Sequence, residues 1–295
     1  MVRPVVPEAD QLIGVRRPVL AHGYVALVDY MGNDAAIVQA ARVSYGRGTK
    51  SVRDDRGLIR YLLRHRHTTP FEMVEFKFLV RLPIYVARQM VRHRTSSINE
   101  YSQRYSIVPD EFDLPAPEEV RRQSARNRQG RGEPLPPEIV SRFREDLTRV
   151  STEAYRAYQQ ALGDGVARET ARLLLPLAYY TEWYWKIDLW NLFHFLALRL
   201  DPHAQEEIRL YAAEFAKLAQ VVCPVAVEAF QDFVLESVSL SRKEAAAVAA
   251  LLAGAAVESA CERAGLALLR EDGTPMTTGE GPEFLAKLQQ IRGRA

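Results

Sequence analysis

Hydrophobic positions along the chain fall into two periods. Val74, Phe76, Phe78 and Val80 alternate with Glu75 and Lys77, the pattern of a strand with one buried face. Tyr24 to Tyr30 alternates well enough for a second strand, and the aromatic run Tyr179 to Ile187 reads as a third extended segment. Elsewhere the spacing is helical. Asn33 and Asp34 are N-caps for a helix over Ala35 to Val43, and Asp54 and Asp55 precede one through Leu58, Leu62 and Leu63 that ends near His65. Pro83 suits the first turn of a helix with Ile84, Ala87 and Val91 on its buried stripe. That helix is expected to end near His93 or Arg94, because Ser96, Ser97 and Asn99 favour caps and turns.

In the second half, helices are expected over Pro137 to Ala161, Val166 to Leu175, Leu189 to Leu200, Ala204 to Val222 and Pro224 to Leu235. Asp110 to Pro137, rich in Pro, Arg, Gln and Gly, shows no period and reads as a long functional loop. The first 22 residues read as an arm. The last 55 or so carry an Ala-rich helix, a Gly-containing turn near Asp272 and a short terminal helix. Together these elements predict an α+β fold, a mixed sheet flanked by helices, divided into an arm (1–22), a main domain (23–238) and a helical extension (239–295).

Composition narrows the class of protein. At 295 residues, 47% hydrophobic and 26% charged, the chain is neither disordered nor collagenous, and its longest apolar stretches, such as Ala246 to Val257, are too short to span a bilayer. No secretory leader is legible, and the two cysteines, Cys223 and Cys261, form no CxxC pair, so a reducing cytoplasm is the expected compartment. The net charge of +2 hides a concentration: Arg64 to Arg104 holds seven Arg and one Lys against Glu72, Glu75 and Glu100, an excess of +5. That window fits a specific anionic ligand better than a general polyelectrolyte surface.

Candidate chemistry gathers in the same window. The run Arg92-His93-Arg94-Thr95-Ser96-Ser97-Ile98-Asn99-Glu100-Tyr101-Ser102-Gln103-Arg104 puts guanidiniums, an imidazole, a carboxylate, an amide and hydroxyls side by side. Arg92 at a helix end and Arg104 across a polar turn could converge on one dianion, since the planar guanidinium meets phosphate oxygens bidentately. The plain alternative is a solvated basic helix end. Among cations, Glu100 is expected to stay ionised and accept from sugar hydroxyls or an imide N–H.

Arg-His-Arg followed by seven residues and Ser, here Arg92-His93-Arg94 to Ser102, resembles the signature of the flavin-dependent thymidylate synthases. His67-Thr68-Thr69-Pro70-Phe71-Glu72, Pro83 to Gln89, Asn99 to Ser106, Ala171 to Leu177 and Asn191 to Arg199 are similar to further blocks of that family, in order, over about residues 24 to 236. The resemblance implies methylation of dUMP to dTMP, with 5,10-methylenetetrahydrofolate as carbon donor and reducing equivalents passed from NADPH through FAD. It implies a homotetramer with shared flavin sites. Carried over by position, Gln89, Met90, Val91, Arg92, Glu100, Tyr101, Ser102, Gln103, Arg104, Arg172 and Arg199 would hold the nucleotide. The flavin would lie against His67, Thr69, Arg92, His93, Arg94, Glu100, Asp188, Leu189, Trp190 and His194. Asp188 and His194 differ from the asparagines of some family members. Asn127-Arg128-Gln129-Gly130 resembles a family loop that approaches the substrate.

Further expectations complete the reading. On the resemblance, Arg199 is the expected catalytic group, a guanidinium beside uracil that would stabilise negative charge on N3 and O4 without a covalent adduct. Ser102 reads as a phosphate or substrate contact, because a nucleophilic serine needs an adjacent base and His93 is nine residues away. Neither cysteine reads as a nucleophile. No HExxH spacing marks a metal site, and none is expected. No GxGxxG follows a strand, in keeping with a family that uses no Rossmann fold. The Tyr179 to Phe195 aromatics read as core or subunit interface. A nucleic-acid-binding protein is the alternative from another class, weakened by a net charge that supplies no long basic face, and neither nucleic acid nor membrane is an expected partner. A flavoprotein acting on another nucleotide is the alternative within enzymes.

Overall fold

A computed structural model describes residues 5–43, 55–124 and 130–293. The chain divides into two compact units, residues 1–235 and 236–295. The first unit opens on a single helical turn, α1 (Pro7–Asp10), and strands β1 (Arg17–Val19) and β2 (Gly23–Met31). Helices α2 (Asp34–Val43) and α3 (Asp55–Arg64) precede β3 (Glu75–Pro83), α4 (Ile84–Met90) and β4 (Ser97–Glu100). A small hairpin, β5 (Arg121–Gln123) with β6 (Arg131–Pro134), leads to the long helix α5 (Pro137–Gly163) and the turn α6 (Arg168–Ala171). Strand β7 (Tyr180–Asp188) and helices α7 (Leu189–Arg199), α8 (Glu206–Val222) and α9 (Pro224–Phe230) finish the unit.

Five strands form the sheet in the order β1-β2-β3-β7-β4, with antiparallel neighbours and a single parallel bridge from Ile13 to Leu27. Alternation in β3 decides which face is covered. Phe76, Phe78, Val80 and Leu82 are fully buried, and Trp183, Trp185 and Ile187 of β7 join them in the core. Onto this face pack Phe195 of α7 and Phe215 of α8, with Trp185 centred 5.1 Å from Phe195 and Phe215 centred 4.8 Å from Phe78. Offset and edge-on contacts of this kind add to the apolar area removed from water. Tyr184 and Lys186 look the other way and are exposed. The covering helices are therefore fixed against the sheet, and the ends of α4 and α7 meet where the basic window lies.

Some segments differ from the sequence reading. The expected arm is built into the unit: Ala9 is fully buried, Tyr30 Oη donates to Asp10 Oδ1 over 2.6 Å, and β1 pairs with β2. Within the expected loop lie a 3-10 turn (Pro117–Glu119) and the β5–β6 hairpin, both assembled from polar residues with no apolar period. Val166 to Leu175 is not one helix. It is the short α6 followed by a 3-10 turn over Arg172–Leu174, after Gly165 turns the chain with φ +84°. Ser97 to Glu100, expected as turn, is an edge strand paired to β7. Asp54 and the 127–129 part of the loop fall outside the described residues.

The second unit contains α10 (Arg242–Leu252), α11 (Val257–Arg263) and α12 (Glu280–Arg292). A capping box starts α10: Ser241 Oγ accepts from Glu244 N while Glu244 accepts from Ser241 N over 2.6 Å. Phe284, Leu266, Ala247 and Cys261 form its own buried core, and Lys287 reaches Glu244 at 2.8 Å. The expected turn at Asp272 is closed by its carboxylate, which accepts from Thr274 N over 2.9 Å, with Gly273 at φ +79°.

Candidate active site

The chain after the C-terminal end of α4 and the outward-facing side of α7 border an open cavity of about 700 Å³. Arg92, His93, Arg94 and Thr95 line it from one side, Trp190, Asn191, His194, Leu198 and Arg199 from the other. Helix α4 ends at Met90, close to the expected stop, and the chain then turns so that Arg92 and Arg94 are exposed while His93 between them is buried. Arg199 comes from the last turn of α7.

Arg199 donates Nε–H to His93 Nε2 over 3.0 Å, and its Nη2 lies 3.4 Å from the main-chain oxygen of Gln89. His93 also meets Phe195 edge-on at 4.8 Å. Burial, and next the charge of Arg199 and His194, pushes the His93 pKa down to about 4. The imidazole is therefore neutral at pH 7 and serves as an acceptor. Burial and the neighbouring Arg92 also lower the Arg199 pKa, although the guanidinium stays charged. No carboxylate among the described residues pairs with Arg92, Arg94 or Arg199. Three cations on one cavity without counter-charge suit an anion with several charges.

Not every expected residue reaches the cavity. Met90 and Leu189 are fully buried core side chains, and Leu189 N–H is taken by Val74 O at 2.8 Å. Val91 is packed against the same core. Asp188 caps α7: one oxygen accepts from Asn191 N at 2.9 Å and the other from Asn191 Nδ2 at 2.6 Å, so each already holds one hydrogen bond within the chain. Exposed His67 stacks on Tyr61 with ring centroids 6.0 Å apart, beside exposed Thr69. The turn that follows is tied to α7 by Phe71, centred 6.2 Å from Trp190.

A second group forms along β4 and the turn after it. Glu100 Oε1 accepts from Thr181 Oγ1 over 2.6 Å, and Tyr101 Oη donates to Ile107 O over 2.9 Å. Arg104 is paired with Glu169 at 2.9 Å, and Arg172 Nε donates to the main-chain oxygen of the same Glu169 over 3.3 Å. Ser102 Oγ accepts from Arg104 N at 3.3 Å, and Gln103 is half-buried beside it. None of Glu100 to Arg104, nor Arg172, lines the cavity that holds Arg92 and Arg199. Within the chain Arg104 is paired with Glu169, whereas Arg92 lines the cavity.

Two contributors had no signal in the sequence. Thr181 sits on the buried side of β7, where alternation marks it only as inward-facing. Gln205, just before α8, accepts a hydrogen bond from Gln89 Nε2. Both cysteines are fully buried, and burial raises their thiol pKa values, Cys223 well above the usual range. Among the described residues no cluster of His, Cys, Asp and Glu is arranged to hold a metal ion, and no helix is long and apolar enough to cross a membrane.

An antiparallel sheet backed by helices, with an unpaired arginine cluster at a helix end, defines an α+β protein built to hold large anions. The sequence profile of the thymidylate synthase complementing protein family matches residues 26–225. A flavin-dependent thymidylate synthase from Ruegeria pomeroyi is 54% identical over 259 residues, covering 86% of each chain. One from Dictyostelium discoideum is 52% identical over 258 residues, 84% of this chain and 85% of that one. Among solved structures, the UMP/dUMP methylase PolB from Streptomyces cacaoi, bound with 5-Br dUMP, matches with TM-score 0.67 and 35% identity over 74% of this chain and 99% of its own. The chain belongs to the flavin-dependent thymidylate synthase family.

Proposed function

We propose that this protein methylates dUMP to dTMP, with 5,10-methylenetetrahydrofolate as carbon donor and FAD, reduced by NADPH, as hydride carrier. The observation that carries the reading is the cavity of about 700 Å³ in which Arg92, Arg94 and Arg199 stand without carboxylate partners. That donor set suits FAD, whose pyrophosphate needs guanidiniums and whose ring needs an apolar wall such as Trp190. When bound and reduced, FAD would supply the hydride that completes the methyl group.

The chain's own residues do the rest. Arg92, His93, Arg94 and His194 hold the flavin, with His67, Thr69, Trp190 and the Asp188–Leu189 backbone around it. Gln89, Arg92 and Arg199 hold the nucleotide. His93 fixes the Arg199 Nε–H, leaving terminal N–H groups to face uracil and stabilise negative charge on N3 and O4. The pyrimidine carbon then becomes nucleophilic without an enzyme thiol, in keeping with two buried cysteines whose thiol pKa values are raised.

Glu100 to Arg104 and Arg172 complete the nucleotide site from a second copy, in a homotetramer. Two features support this: these residues lie outside the cavity of their own chain, and exposed Tyr105, Ile107, Leu173 and Leu177 flank them with apolar surface. The reading also takes the protein to be cytoplasmic, where two free thiols persist. Titration with FAD, followed by flavin absorbance and light scattering, tests it. One FAD per chain on a tetramer is expected, and failure to bind FAD, or a flavin-loaded active monomer, contradicts it.

A further inference from the structure

Gln205 follows Arg199 by six residues, across the turn that joins α7 to α8. It occupies the N-cap position of α8 but makes no capping bond with its side chain, which is directed elsewhere. Its Oε1 accepts an N–H from the Gln89 amide. The main-chain oxygen of Gln89 lies 3.4 Å from Arg199 Nη2. One connection thus grips Gln89 at the backbone and at the amide.

The grip has a rigid base. Asp201 closes the connecting turn, its Oδ1 accepting from His203 N at 2.7 Å and its main-chain oxygen from Ala204 N at 2.9 Å. Arg131 of β6 pairs with Glu206 at 3.1 Å and with buried Glu207, clamping the first turn of α8. Gln205 is therefore held where a free glutamine would wander.

We propose that Gln205 is a positioning residue for the nucleotide. By taking one Nε2 proton of Gln89, it sets the plane and direction of that amide, leaving Oε1 to accept an N–H of the base and the second Nε2 proton to donate to a base carbonyl. An imide edge presents that acceptor and donor side by side. A glutamine side chain otherwise loses rotamer freedom when it binds, and an anchored amide has already lost it. The proposal rests on the reading of Gln89 as a nucleotide ligand.

Calorimetric titration of dUMP into the FAD-loaded protein tests it. Gln205→Met, equal in length but without an acceptor, should weaken dUMP roughly 5- to 15-fold. Gln205→Glu, which accepts the same N–H, should weaken dUMP clearly less than Gln205→Met does. The double variant Gln89→Leu/Gln205→Met should bind no more weakly than Gln89→Leu alone. FAD uptake and melting temperature should be unchanged in both Gln205 variants. Wild-type affinity in Gln205→Met beside a weakened Gln89→Leu overturns the proposal alone, as does equal weakening in the Met and Glu variants. Wild-type affinity in Gln89→Leu overturns the underlying reading of that residue, and the proposal with it.

Discussion

Arg199 and His93 are joined by a hydrogen bond of 3.0 Å in which the guanidinium donates and a neutral imidazole accepts. Arg199 lies in the last turn of α7 and His93 in the turn after α4, 106 residues apart. A protonated His93 would offer no acceptor and would add a fourth cation beside Arg92, Arg94 and Arg199. The low His93 pKa, about 4 and caused first by burial, keeps the pair intact at physiological pH. The arginine motif and Arg199 are thus one hydrogen-bonded unit.

That relationship makes stability depend on acid. An unfolded histidine takes its proton near pH 6.5, whereas native His93 resists until about 4, so unfolding binds a proton in between. Stability contributed by His93 is full above pH 6.5 and lost as pH falls, on the order of 2 kcal/mol by pH 4.5. Urea midpoints at pH 7 and 4.5 should fall further for wild type than for His93→Gln, which keeps an acceptor and does not titrate. Equal falls contradict the assignment.

Arg199 and Arg172 should fail differently. Removing a charge-assisted contact costs about 2 to 4 kcal/mol, or roughly 30- to 1,000-fold. Arg199→Ala should depress dTMP formation even at saturating dUMP, while NADPH oxidation with oxygen as acceptor persists. Arg172→Ala should act chiefly on dUMP affinity. Steady-state rates across dUMP concentrations separate the two, and wild-type turnover at saturation in Arg199→Ala removes that residue from catalysis.

Thr181 should matter without touching substrate. Its hydroxyl is buried and donates to Glu100 over 2.6 Å. Thr181→Val keeps the shape and loses the donor, so dUMP affinity should drop roughly tenfold, the cost of one hydrogen bond to a charged group. Unchanged affinity, with FAD uptake intact, would show that Glu100 needs no such support.

Both cysteines are dispensable on this account. Cys223→Ala/Cys261→Ala should lower the melting temperature, because two filled core positions lose a sulfur, yet leave turnover within a few-fold. Collapse of turnover in folded, FAD-loaded protein points to a thiol step.

The strands β3 and β7 were legible because one face of each is buried, which writes a period of two into the residues. Strand β4 left no such mark. Ser97, Ile98, Asn99 and Glu100 are all exposed, and only the open edge of β7 makes them a strand. The arginine motif was legible because its chemistry is contiguous. Thr181 and Gln205 were not, since each acts on a residue 81 or 116 positions away and neither neighbourhood is unusual. Asp188 carries a role the sequence reading did not give it: its carboxylate caps α7 by accepting from Asn191 N and Nδ2.

Product analysis reads out the proposed reaction itself. The protein, stripped of flavin and then reloaded with FAD, is supplied with dUMP, 5,10-methylenetetrahydrofolate and NADPH. The account predicts dTMP and tetrahydrofolate from the reloaded protein and no dTMP from the stripped one. Equal dTMP formation without FAD, or none with FAD bound, contradicts it.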